Sequence, residues 1–209
     1  MIDRCTRWHA AMVLKGDGTG KGKKSTQSLI DALFDTWLKI HGKMDTLYVD
    51  GESAFKSPEA RVHLKHEGVE LEIRAPGQHA QFIERRGAVL RHTMHCMEEQ
   101  AIREKIPITI TMLLASAVFA GNALTSVGGV TPYQGLYGRQ PSVLPPLPDP
   151  ENNDLAGETP GGRVQARVRE IAAESMIQTT SQARMNRTMR SKTRDSGEDV
   201  YNEGDLVDY

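Results

Sequence analysis

Two carboxylates in this 209-residue chain have the type and setting for metal-assisted phosphodiester chemistry. Asp50 closes a short apolar run at 46–49 that has the character of a buried strand. Glu84 comes 34 positions later, in the first turns of a predicted long helix. In open α/β sheets, ligands bind at the carboxyl ends of the strands. An intervening helix and strand would return the chain to that edge, so the two side chains could converge. Carboxylates so placed can hold two divalent metals roughly 3.5–4 Å apart, which activate an attacking oxygen and stabilise a leaving one. Magnesium keeps several of its waters, so two or three carboxylates suffice. Spacing alone leaves a plainer alternative open, an Asp ending a strand and a Glu favouring its own helix dipole.

The elements that must position these residues are readable in outline. Ser25 or Thr26 can cap a helix whose Ile30, Leu33, Phe34, Trp37 and Leu38 recur at helical spacing, and Gly42 can end it. Phe34, Trp37 and Leu38 are expected in the core. Ser57-Pro58-Glu59 reads as a helix start, with a capping hydroxyl, proline in the first turn and an acid beside it, and Gly68 as its stop. Residues 69–73 alternate apolar and polar, as a half-buried strand does. A long helix is expected from about 80 to 105, broken at Pro107, then a very apolar one over 108–124 and a short one opening at Thr131-Pro132. Before all of these, 7–14 is expected as a strand running into the loop 16–24. Strands alternating with helices give an α/β domain.

Charge is unevenly spread. The net charge is −1, yet residues 163–194 carry eight basic residues against two acidic ones. That asymmetry suits a polyanion partner, though a solvated helix face is the plainer reading. Arg184, Arg187 and Arg190 are its candidate contacts with nucleic acid. Lys23 and Lys24 in the glycine-lysine loop are others, as is Arg85, which of Arg85, Arg86 and Arg91 borders Glu84 most closely. The loop misses the GxxxxGK[ST] phosphate-loop pattern. Aromatics are only 5% of the chain, which argues against single-strand binding by base stacking. His92, His95 and Cys96 share a predicted helix but lack the further ligands of a zinc site. Two cysteines without a CxxC pair suggest a reducing compartment, and no run approaches the roughly 18 apolar residues of a membrane helix. Residues 141–160 hold six of the ten prolines and read as an acidic linker.

Five segments in order resemble the integrase core of gypsy- and copia-type retrotransposons. Ile2-Asp3-Arg4-Cys5-Thr6-Arg7 is similar to the family's second-strand segment. Leu47-Tyr48-Val49-Asp50-Gly51 with Phe55 resembles the strand bearing the second catalytic aspartate. Pro76 through Arg85 resembles the segment of the catalytic glutamate. Asn122-Ala123-Leu124, Thr131-Pro132-Tyr133 and Tyr137-Gly138-Arg139-Gln140-Pro141 are similar to the post-core signature, and Gly204-Asp205-Leu206-Val207 to the start of the small β-barrel that follows. Two departures concern the glutamate: 33 residues separate it from Asp50 where the family has 35, and the glycine before Glu-Arg is displaced.

The resemblance implies an α/β, ribonuclease-H-like core over 1–140, without its N-terminal strand. A Pro-rich acidic linker (141–162), a basic helical segment (163–199) and the start of an SH3-like β-barrel (200–209) would follow. It implies DNA integration by two-metal polynucleotidyl transfer, with Asp50 and Glu84 holding Mg2+ or Mn2+ and no zinc in this stretch. The partners would be element ends and target DNA, the intact enzyme a homo-oligomer, and the place of action the nucleus, with no membrane involved. The first catalytic aspartate would precede residue 1, Asp3 matching a non-catalytic position, so the chain alone is expected to be inactive. A degenerate relic that only binds nucleic acid is the runner-up. A ribonuclease-H-like nuclease comes third, since it would have no need of the TPY and GDLV segments.

Overall fold

The computed structural model describes residues 1–14, 26–49, 54–73, 81–126, 128–143 and 160–190. Its first helical stretch is α1 (Thr26–Leu33), a π-helical turn (Phe34–Leu38) and α2 (Lys39–His41), after which Gly42 takes φ +78° and turns the chain. The wider π turn shifts the phase of the apolar face. Phe34, expected in the core, is 50% exposed, while Ile30 and Leu33 are buried and Trp37 and Leu38 pack at the core's margin.

Strand β1 (Thr46–Val49) follows, then α3 (Pro58–His66) and β2 (Glu70–Ile73). The hydroxyl of Ser57 accepts from the Ala60 amide at 3.2 Å, and Pro58 stands in the first turn, where its missing N–H leaves no bond unmade. The two strands pair in parallel, Thr46 opposite Glu70 and Val49 opposite Ile73, as a crossover through a helix requires. Leu33, Leu47, Leu64 and Val69 form the core between this sheet and its helices.

The rest is helical: α4 (Gln81–Arg103), α5 (Ile110–Leu124), α6 (Pro132–Tyr137) and α7 (Pro160–Arg190). Helices α4, α5 and α7 share a second core of Met97, Leu113, Ala117, Ala120, Val168, Ile171, Ala172 and Met176. Helix α7 begins inside the stretch expected as linker, because Pro160 can occupy a first turn as well as a loop. It runs antiparallel to α4, since Arg167 bonds Glu104 near one end and Thr179 contacts Thr93 further along.

Residues 7–14 do not form the expected strand. They make a single antiparallel bridge, Ile2 to His9. The Asp3 carboxylate accepts from both the amide and the hydroxyl of Thr6, each at 2.6 Å, and Arg7 sits at φ +63°, so the chain turns back at once. The backbone of His9 is then taken by a side chain: Asn122 accepts from its amide at 2.9 Å and donates to its carbonyl at 2.8 Å. Thr131 and Gln134 form a capping box that opens α6, which delivers Tyr133 and Tyr137 onto Trp8, with ring centres 5.8 and 5.4 Å away.

Candidate functional site

The end of β1 and the beginning of α4 meet at one cavity. About 200 Å³ in volume, it is lined by Tyr48 and Leu47 from the strand, Phe82 and Ile83 from the helix, and residues 1–4. Tyr48 stands two residues before Asp50 and Ile83 one before Glu84. The end of β1 and the first turn of α4, which carries Glu84, are therefore neighbours. Asp50 itself lies outside the described residues. Glu84 is exposed in the first turn of α4, where a negative charge favours the helix dipole. Asp3 also borders the cavity, but its Oδ2 is committed to the Thr6 turn. Among the described residues no group of three or more His, Cys, Asp or Glu side chains is placed to hold a metal ion.

Arginines surround this end of α4. The Arg4 guanidinium lies 5.0 Å from the centre of the Tyr48 ring, and that of Arg7 lies 4.8 Å from the Phe82 ring. Stacking of this kind holds a guanidinium plane in one orientation while its N–H edges stay available. Arg85 and Arg91 are exposed, whereas Arg86 is half-buried. Lys23 and Lys24 lie outside the described residues. Arg184 and Arg187 are exposed on α7, and Arg190 is the last residue of that helix. Continuing the antiparallel register from the Thr93–Thr179 contact by equal steps brings Arg187 level with Arg85. The basic part of α7 thus runs toward the end of the bundle that carries Glu84.

Among the described residues His9, Glu104 and Arg167 are strongly shifted, Arg167 upward through its bonds to Glu104 and Glu170. Burial, with the amino terminus and Arg86 adding to it, holds His9 down to about 3, so its ring is neutral at ordinary pH. Glu104 is held down to about 2, chiefly by its bonds from Arg167 at 2.6 and 2.8 Å and from Gln100 at 2.6 Å. Arg167 also bonds Glu170 at 2.8 Å, so one guanidinium ties the end of α4 to the start of α7. The His92 and Cys96 side chains touch at 3.8 Å, and His95 faces Glu99 at 3.5 Å, an i,i+4 pair on the same helix.

Sequence reasoning did not single out Arg4 and Arg7, nor the part Asn122 plays. An asparagine inside a very apolar helix was the available signal for the last.

No family model matches the chain, and no curated protein does. Among solved structures, it is similar to a chain from the cryo-EM structure of a simian T-cell lymphotropic virus intasome in complex with PP2A regulatory subunit B56 gamma. Identity is 16%, the TM-score 0.47, and the match covers 62% of this chain and 45% of that one. The chain therefore spans less than half the length of that neighbour, and a superposition of this quality does not establish a shared fold.

Proposed function

We propose that this chain is the ribonuclease-H-like core of an integrase-type polynucleotidyl transferase acting on DNA. The observation that carries the reading is the shared cavity wall: Tyr48 and Ile83, the near neighbours of Asp50 and Glu84, line one cavity although they are far apart in sequence. The motif resemblance names those same two carboxylates. A pair of carboxylates offers oxygen donors only, which suits a hard cation such as Mg2+ or Mn2+. When bound, such ions activate a water or a DNA 3′-hydroxyl and stabilise the departing oxygen.

The remaining work falls to this chain's own residues. Glu84 and Asp50 hold the reacting end of the DNA in place through what they bind. Arg85 and the exposed arginines of α7 meet backbone phosphates, contacts that position the duplex without reading its sequence. Asp3 is a turn residue, its carboxylate taken by the amide and hydroxyl of Thr6. The reading implies action in the nucleus, as a multimer.

The test is a strand-transfer assay on the chain extended upstream. Asp50→Asn and Glu84→Gln should each lower activity by about 100-fold or more, with DNA affinity unchanged in EDTA. Activity surviving either change refutes the assignment. The second reading, a binding relic, is favoured by the exposed Arg184 and Arg187 alone; it predicts DNA binding with no metal-dependent turnover in any version of the chain.

A further inference from the structure

The outer face of α4 carries a second set of ligating side chains. His92, His95, Cys96 and Glu99 follow one another at i, i+3, i+4 and i+7, the spacing of a single helical stripe. None of them lines the cavity between β1 and α4. Spacing by itself yields no zinc site, but the side-chain positions add to it. His92 Nε2 stands 3.8 Å from Cys96 Sγ. With Zn–N about 2.0–2.1 Å and Zn–S about 2.3 Å, two ligands at a tetrahedral angle sit about 3.6 Å apart. The pair therefore has nearly the separation that one shared ion needs. His95 and Glu99 stand beside it as a nitrogen–oxygen pair, 3.5 Å apart.

The backbone under the pair is held in place. Thr93 and Met97, the residues that follow His92 and Cys96, are wholly buried. Thr93 touches Met176 and Thr179 of α7, and Met97 belongs to the core that α4 shares with α5 and α7. The two ligands thus project from a packed turn of helix, and only their side-chain torsions have to settle. An ion reaches them from solvent, because His92 is exposed and Cys96 partly so. Donor chemistry then selects the ion. A thiolate with an imidazole suits a zinc-class cation, whereas Mg2+ and Ca2+ prefer oxygen.

We propose that His92 Nε2 and Cys96 Sγ chelate one zinc-class divalent cation on the outer face of α4, apart from the carboxylates Asp50 and Glu84. Cys96 binds as the thiolate, its proton passing to solvent, and His92 as the neutral imidazole. Two protein ligands leave the other tetrahedral positions to water or to a second copy of the chain. The bound ion clamps one turn of α4. This site does not rest on the function proposed above, and either can fail without the other.

The experiment titrates the reduced full chain with Co2+, whose bond to a thiolate gives a near-ultraviolet charge-transfer band that carboxylate ligands cannot give. The wild type should develop the band, Zn2+ should erase it, and excess Mg2+ should leave it unchanged. Cys96→Ser should lack the band. His92→Gln, which removes one arm of the chelate from an exposed position, should weaken Co2+ binding by about tenfold or more. Cys5→Ser and His95→Gln should keep both the band and the affinity. Saturation at one ion per chain assigns the open positions to water, and at one ion per two chains to a second copy. No band in the wild type, a band that survives Cys96→Ser or is lost in Cys5→Ser, or unchanged affinity in His92→Gln overturns the proposal.

Discussion

The sheet layer and the helical bundle of this chain are held together by different means. Around β1 and β2 the core is a few large aliphatic side chains, with Leu64 wholly buried and Leu33, Leu47 and Val69 against it. In the bundle the contact positions are often small, Ala117, Ala120, Gly121, Ala172 and Ala173, so α4, α5 and α7 approach closely. The bundle also buries polar groups, Thr93, Asn122, Ser175 and Thr179, and seats Arg86. Removal of bulk is what the sheet layer tolerates least. The bundle depends more on polar groups finding their partners.

Three changes sharpen that contrast. Leu64→Ala should be the most damaging, costing about 3–4 kcal/mol by denaturant unfolding, because a wholly buried leucine leaves a cavity its neighbours cannot fill. Asn122→Ala should cost about 2–3 kcal/mol by stranding two backbone groups of His9. Its signature is local: hydrogen exchange of the His9 amide should accelerate far more than that of the Val69 amide in the sheet layer. A smaller and more gradual effect is expected in acid. His9 is depressed in the folded chain, so the unfolded chain binds the extra proton and stability falls as pH drops below about 6.5 toward 3. Glu104 is also depressed, so its contribution is present above about 4.5 and is lost as pH falls toward 2. Both losses run in the same direction. Glu104→Gln should flatten only the lower part of the profile, and stability that did not decline between pH 6.5 and 3 would contradict the His9 assignment.

Features encoded within a few residues were legible in the sequence. Ser57-Pro58 and Thr131-Pro132 open helices where expected, and Gly42 and Gly68 turn the chain with positive φ. Signals spanning the molecule were not. The apolar run at 7–14 has the composition of a strand, but the hydrogen bonds of His9 go to a side chain 113 positions away. Phe34 keeps helical spacing with Ile30 yet is half exposed, and a π turn, which no periodicity announces, begins there. The candidate site residues, Asp50, Glu84 and Arg85, were named from residue type and motif, and of these the described residues include Glu84 and Arg85. The arginines that stack on Tyr48 and Phe82 were not, because each pair is made by segments more than 40 residues apart.

The central claim is that Asp50 and Glu84 act on one metal site at the cavity between β1 and α4. Paramagnetic broadening of amide signals by substoichiometric Mn2+ tests it on the chain itself. The account predicts joint broadening of Val49 and Ile83, lost from both together in either Asp50→Asn or Glu84→Gln. Broadening at one of the two without the other, or broadening that persists in both variants, would contradict it.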